Sequence, residues 1–139
     1  MGGSSMGAAA CRATALALAC AACTSIVVDQ RTFEGTRWRV TAIVGRPTPA
    51  KGDYSLSFYN GRLSARFGCN SIGGSYRASG ETLTADRLVS TMMACGEPAD
   101  SFEHSGSAVL NAPMRTSWGA RGRLTLSNSA GSIELDRLP

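Results

Sequence analysis

Tyr54 to Phe67 reads YSLSFYNGRLSARF, two alternating runs separated by Asn60-Gly61. An Asn-Gly pair at that point fits a type I′ turn, which needs positive φ at both central residues and matches the twist of two antiparallel strands. Counting outward from the turn pairs Phe58 with Leu63, Leu56 with Ala65 and Tyr54 with Phe67, so six apolar side chains share one face. Ser55, Ser57, Ser64 and Arg66 share the other. The expected unit of the fold is therefore an antiparallel sheet with one dry and one wet face.

Downstream, Phe67 to Cys95 reads FGCNSIGGSYRASGETLTADRLVSTMMAC and holds two cysteines and the densest run of turn residues. Sharp turns are expected at Gly68-Cys69-Asn70 and again at Gly73-Gly74, because these glycines can take conformations closed to other residues. Asn70 tolerates left-handed geometry or bonds its own backbone. Asn70 and Tyr76 read as braces of these turns, with a ligand contact as the alternative. Leu83, Leu88, Met92 and Ala94 suit a strand running into Cys95, with Met92-Met93 as adaptable core filler. Pro98 to Leu110 carries the one predicted helix, with proline near its start and Phe102, Gly106, Val109 and Leu110 at helical spacing. Glu103 would brace a loop by accepting backbone hydrogen bonds, and His104 would lie at the surface. Beyond it, Leu124 and Leu126 should face Ile133 and Leu135 across a Ser-Ala-Gly turn.

Upstream, TRWRVTAIV alternates Trp38, Val40, Ala42 and Val44 against Arg37, Arg39 and Thr41, a half-buried strand with Trp38 as a core plug. GRPTPAKGD then breaks the pattern and reads as a surface loop. The polar segment 24–34 is expected to be a mobile tether, which sets the domain at 35–139.

The combination of FGCNSIGGSY with STMMAC resembles the signature of the META domain family, that of the heat-shock-inducible lipoprotein HslJ. The family's elements stand here as Gly35-Thr36-Arg37-Trp38, Gly68-Cys69-Asn70, Gly74-Ser75-Tyr76, Thr91-Met92-Met93-Ala94-Cys95 and Glu103. The resemblance runs from about Gly35 to the C-terminus. It implies a small α+β, β-rich domain, a curved antiparallel sheet or cracked barrel with one packed helix. It carries over no catalytic residue.

Residues 1–23 read as a targeting segment: a short leader around Arg12, the apolar run Ala13–Ala22, then cysteine. The run is too short to span a bilayer and is similar to a bacterial lipoprotein signal, whose cysteine is acylated. Cys23 closes the full run and Cys20 is the alternative; cleavage without acylation also leads to export. With Cys11 and Cys20 removed and Cys23 lipidated, Cys69 and Cys95 remain, and two thiols in an oxidising compartment are expected to pair. Metal binding is the rival use of these sulfurs, but no C-x-x-C or H-x-x-x-H spacing accompanies them, so no metal is expected.

A length of 139 residues with 43% apolar and 17% charged content suits one core. The formal charge of +4 rests on scattered arginines without a basic run, which argues against nucleic-acid binding. One histidine amid serines gives no sign of a general base beside a nucleophile, so neither catalysis nor a cofactor is expected. The expected protein is exported and lipid-anchored at the outer membrane, facing the periplasm. The resemblance implies a non-catalytic role in envelope stress, linked in the family to heat shock and novobiocin resistance, through an envelope protein partner. A pilotin-like module that binds a lipid or small molecule in an apolar crack is the alternative.

Overall fold

The computed structural model describes residues 26–139. The targeting segment, including Cys20 and Cys23, lies outside the described residues. In chain order the strands and helices are β1 (Val28–Asp29), α1 (Gln30–Phe33), β2 (Arg37–Ile43), β3 (Arg46–Pro47), β4 (Asp53–Tyr59), β5 (Arg62–Gly68), β6 (Ser71–Gly80), β7 (Thr82–Ser90), α2 (Ala99–Leu110), β8 (Met114–Trp118), β9 (Leu124–Asn128) and β10 (Gly131–Arg137). A short 3-10 turn, Ala120–Gly122, stands between β8 and β9.

The Asn60-Gly61 turn forms as its sequence demands, with φ of 52° and 69° at the two residues. It fixes the register of β4 on β5, pairing Phe58 with Leu63, Leu56 with Ala65 and Tyr54 with Phe67. From this hairpin the chain continues as a meander: β2, β4, β5, β6, β7, β8, β9 and β10 each pair antiparallel with the next, and β10 returns to β2. The eight strands close into a barrel, so the curved sheet has no free edge along this ring. β1 extends the pairing of β6 beyond the end of β5, and β3 pairs with β2. Leu126 opposes Ile133 and Leu124 opposes Leu135, as the alternation in both strands requires.

The barrel interior is filled by its own side chains. Trp38, Val40, Leu56, Phe58, Leu63, Phe67, Leu83, Met114, Leu124, Leu126, Ile133 and Leu135 are all buried. Helix α2 covers one end, laying Phe102, Gly106, Val109 and Leu110 inward. A Cβ on Gly106 would run into the Phe67 ring, so glycine is what lets this intrinsically weak helix approach β5. The Tyr54 and Phe102 rings meet edge to face at 5.6 Å, and the Arg46 guanidinium lies 4.4 Å from the centre of the Phe102 ring. Asn128 Nδ2 donates to the carbonyls of Val109 (2.8 Å) and Ala112 (3.3 Å), satisfying acceptors at the helix C-terminus.

Four expectations are corrected. Val44 does not continue the buried alternation of Trp38, Val40 and Ala42: β2 ends at the buried Ile43, and Val44 follows in left-handed backbone at φ of 50°, exposed. The segment 24–34 is not a tether over Val28–Glu34: Val28 and Phe33 are buried, and Asp29 caps α1 in a capping box with Thr32. The Phe33 ring packs at a tilt against Phe58 and Trp118, with centroids 5.0 Å and 6.3 Å away, closing the barrel where α2 does not. A buried phenylalanine outweighs the polar average of the segment, because it carries one of the largest transfer terms of any side chain. Gly73 and Gly74 lie inside β6 and form no second turn; a Cβ at Gly74 would lie 2.5 Å from the Asp86 carbonyl oxygen of β7. There the register of the two strands slips, which brings their backbones close. Met92 and Met93 are 92% and 58% exposed and are not core filler, since β7 ends at Ser90 and the chain then follows the barrel surface.

Candidate functional site

The family-like residues gather at two places, one at each end of the barrel wall. The first lies where β5 turns into β6. Gly68 has φ of 152° and packs against Ala99, so the chain after β5 passes directly beneath the start of α2. Cys69 follows and is joined to Cys95 in a disulfide, with Cα atoms 6.0 Å apart. Beside the disulfide stands Asn70, buried, with its whole amide engaged and Nδ2 3.6 Å from Cys95 Sγ. Asn70 Nδ2 donates to the Met93 carbonyl at 2.8 Å and to Glu103 Oε1 at 2.6 Å. Asn70 Oδ1 accepts from Thr91 Oγ1 at 2.9 Å and from the Met93 N–H at 2.7 Å. Its own N–H donates to Glu103 Oε2 at 3.3 Å. Donors and acceptors of the amide are thus all spent on the chain itself.

This arrangement explains the residue types. Residues 91–95 lack regular structure, so their backbone groups need partners, and one asparagine amide mimics a strand neighbour for Met93. Met93 contributes backbone only. Thr91 Oγ1 also accepts from the Ser71 N–H at 3.0 Å, and Asp100 Oδ1 accepts from the Cys95 N–H at 3.1 Å. Glu103 holds α2 to the β5–β6 corner as a charged acceptor, the stronger kind. An open cleft of about 490 Å³ lies above, lined by Met92, Met93, Asp100, Glu103, His104 and Ser107 among others. His104 is exposed there, and among the described residues no hydrogen bond joins it to a serine or carboxylate. Sγ of Cys69, Sγ of Cys95 and a Glu103 oxygen lie within 4.8 Å of one another, yet sulfurs joined to each other offer no thiolate to a metal.

The second place centres on Tyr76 and a residue absent from the sequence reading, Glu34. Tyr76 Oη donates to Glu34 Oε2 at 2.8 Å. The same carboxylate accepts the N–H of Asn60, and that of Gly61 at 3.2 Å, so it braces the hairpin turn. Gln30 Nε2 donates to the Tyr76 carbonyl at 3.1 Å, and Gln30 Oε1 accepts from the Ala78 N–H at 3.3 Å. The hydrogen bond from Tyr76 first, and those from the turn after it, hold the Glu34 carboxyl below its ordinary range. Burial first and then Glu34 push the Tyr76 phenol up. Beside them Thr36 Oγ1 accepts from Trp38 Nε1 at 2.8 Å and donates to the Phe33 carbonyl at 2.5 Å. This accounts for threonine two residues before the tryptophan, since a buried indole N–H needs an acceptor. The one local signal for Glu34 and Gln30 was Asp29 ahead of Thr32, a helix start.

The META domain model matches residues 31–137. The chain belongs to the META domain family. Two solved NMR structures share the fold: one is 23% identical, covering 78% of this chain and 94% of that chain with a TM-score of 0.68. The other, a protein from Burkholderia xenovorans, is 22% identical and covers 78% of this chain and 86% of its own, with a TM-score of 0.65. No curated protein matches the chain.

Proposed function

We propose that this META domain is exported, held to the cell envelope by a lipid on Cys23, and serves there in envelope stress as a non-catalytic binding or supporting domain. The observation that carries the reading is the saturated amide of Asn70, whose partners are the side chains of Thr91 and Glu103 and the backbone of Met93, family residues at that corner. Groups spent on one another are unavailable to a substrate, and they tie a surface segment and a helix to the barrel. The Ala13–Ala22 run ending at cysteine supports export and anchoring. A pocketed lipid is disfavoured, because the barrel interior is occupied by side chains.

Fractionation of cells expressing wild type and Cys23→Ala tests the anchor: wild type is expected with the outer membrane and the variant in the soluble fraction. Two soluble proteins would overturn anchoring. Asn70→Ala tests the brace: it is expected to lower unfolding stability by about 1–3 kcal/mol by leaving buried partners unsatisfied, and to impair stress survival only as far as folded protein is lost. Full stability with lost survival would place Asn70 against a ligand instead.

A further inference from the structure

On the outer wall, four arginines from three separate stretches of chain converge on one cleft. Arg39 comes from β2, Arg121 and Arg123 from the turn before β9, and Arg137 from the end of β10, around an open volume of about 700 Å³. Asp136 is the acidic residue of the cleft; its carboxylate takes Arg39 at 3.4 Å and Arg123 at 3.1 Å, which orients both guanidinium groups. Arg121 and Arg137 have no carboxylate partner among the described residues. Arg121 also sits in left-handed backbone, at φ of 58°, unusual for a side chain of its kind. Arg137 leans over the Trp38 indole at 5.9 Å, and Arg37 faces the adjoining hollow with it.

The charge is local. The whole chain has a formal net charge of +4. Four arginines against one aspartate put three of those units in this cleft, and Arg12 of the targeting segment supplies the fourth. The remaining surface is balanced, with exposed pairs such as Arg66–Asp53 and Arg77–Asp86. A concentrated field of one sign attracts counter-ions, and planar guanidinium groups match the oxygens of a phosphate in pairs.

We propose that this cleft binds a phosphate-bearing anion, supplied by the head group of an anionic membrane lipid. The cleft is open and, at about 700 Å³, roomier than a bare phosphate needs. This goes beyond envelope anchoring and does not depend on acylation of Cys23, so the test uses the unacylated full chain carrying Cys20→Ala and Cys23→Ala. Its binding to vesicles containing phosphatidylglycerol is expected to exceed that to pure phosphatidylcholine and to fall with added salt. Arg121→Asn with Arg137→Gln removes two unpaired charges and should weaken vesicle binding about twenty-five-fold, roughly fivefold for each arginine near a charged surface. Arg62→Gln with Arg77→Gln, on the opposite wall, removes the same charge and should change binding by less than about twofold. Equal losses from both pairs would reduce the effect to bulk charge and overturn the site, as would indifference to phosphatidylglycerol. Pyrophosphate titrated against the same proteins separates the sources: binding that needs Arg121 and Arg137 without any vesicle binding overturns the lipid source in favour of soluble phosphate. Circular dichroism of both double variants guards against unfolding, and a misfolded Arg121→Asn is replaced by Arg121→Gly, which fits left-handed backbone.

Discussion

Glu34 and Tyr76 illustrate how single residues couple distant parts of the chain, since one carboxylate joins α1, the Asn60-Gly61 turn and β6. Their titration gives a signed prediction. Glu34 has a folded pKa below its ordinary 4.5, so its contribution is present above about that pH and is lost as pH falls through the folded value. Tyr76 has a folded pKa above its ordinary 10.0, so its contribution is present below that pH and is lost as pH rises further. Urea midpoints measured against pH should therefore fall at both extremes. Glu34→Gln should flatten the acid limb and Tyr76→Phe the alkaline limb. Tyr54, raised by burial and then by Glu103, leaves some alkaline slope in the second variant. Unchanged slopes in both would break the link between this pair and stability. The same residue-scale economy governs Asn70, where one side chain replaces a missing strand.

At the scale of elements, α2 is held by contact and not by its own propensity. Its sequence, ADSFEHSGSAVL, includes a glycine and three serines, and no side chain caps its N-terminus. In an isolated helix, Gly106→Ala would stabilise by about 1 kcal/mol. In this fold the added methyl would strike the Phe67 ring, and overpacking of a core costs about 1–3 kcal/mol. The net effect is expected to be destabilising, read as a lower urea midpoint. A stabilised variant would mean that α2 can lift from β5 without loss. Short elements obey the same rule in reverse. β1 and α1 together span only Val28–Phe33, and no isolated segment of that length would hold a structure. Pairing with β6 and burial of Phe33 against Phe58 and Trp118 supply what the sequence lacks.

For the whole molecule, the Cys69–Cys95 bond spans 26 positions and ties the β5–β6 corner to the chain entering α2. Closing a loop of that size restricts the unfolded chain by about 3–4 kcal/mol, a large share of the stability of a small domain. Cys69→Ser with Cys95→Ser should lower the thermal midpoint accordingly, and wild-type protein should resist alkylation at both cysteines without reductant. Alkylation of both would refute the bond. Much of this architecture was legible in order of sequence distance. The Tyr54–Phe67 hairpin, its register, the strand of Trp38, the β9–β10 pair and the helix ending at Leu110 were readable because turn chemistry and periodicity act between near neighbours. The family residues at 68–70, 74–76, 91–95 and 103 were readable as a set, and the physical task of each was not. Only the tertiary structure decided that β10 returns to β2 to close the barrel, because each strand offers the same alternation to any partner. It alone placed Glu34 on the hairpin turn, left Met92 in solvent, and brought Arg39, Arg121, Arg123 and Arg137 into one cleft. The reason is common to all three: a side chain's polarity is written in the sequence, but its neighbours are set by barrel closure, which joins residues up to about a hundred positions apart.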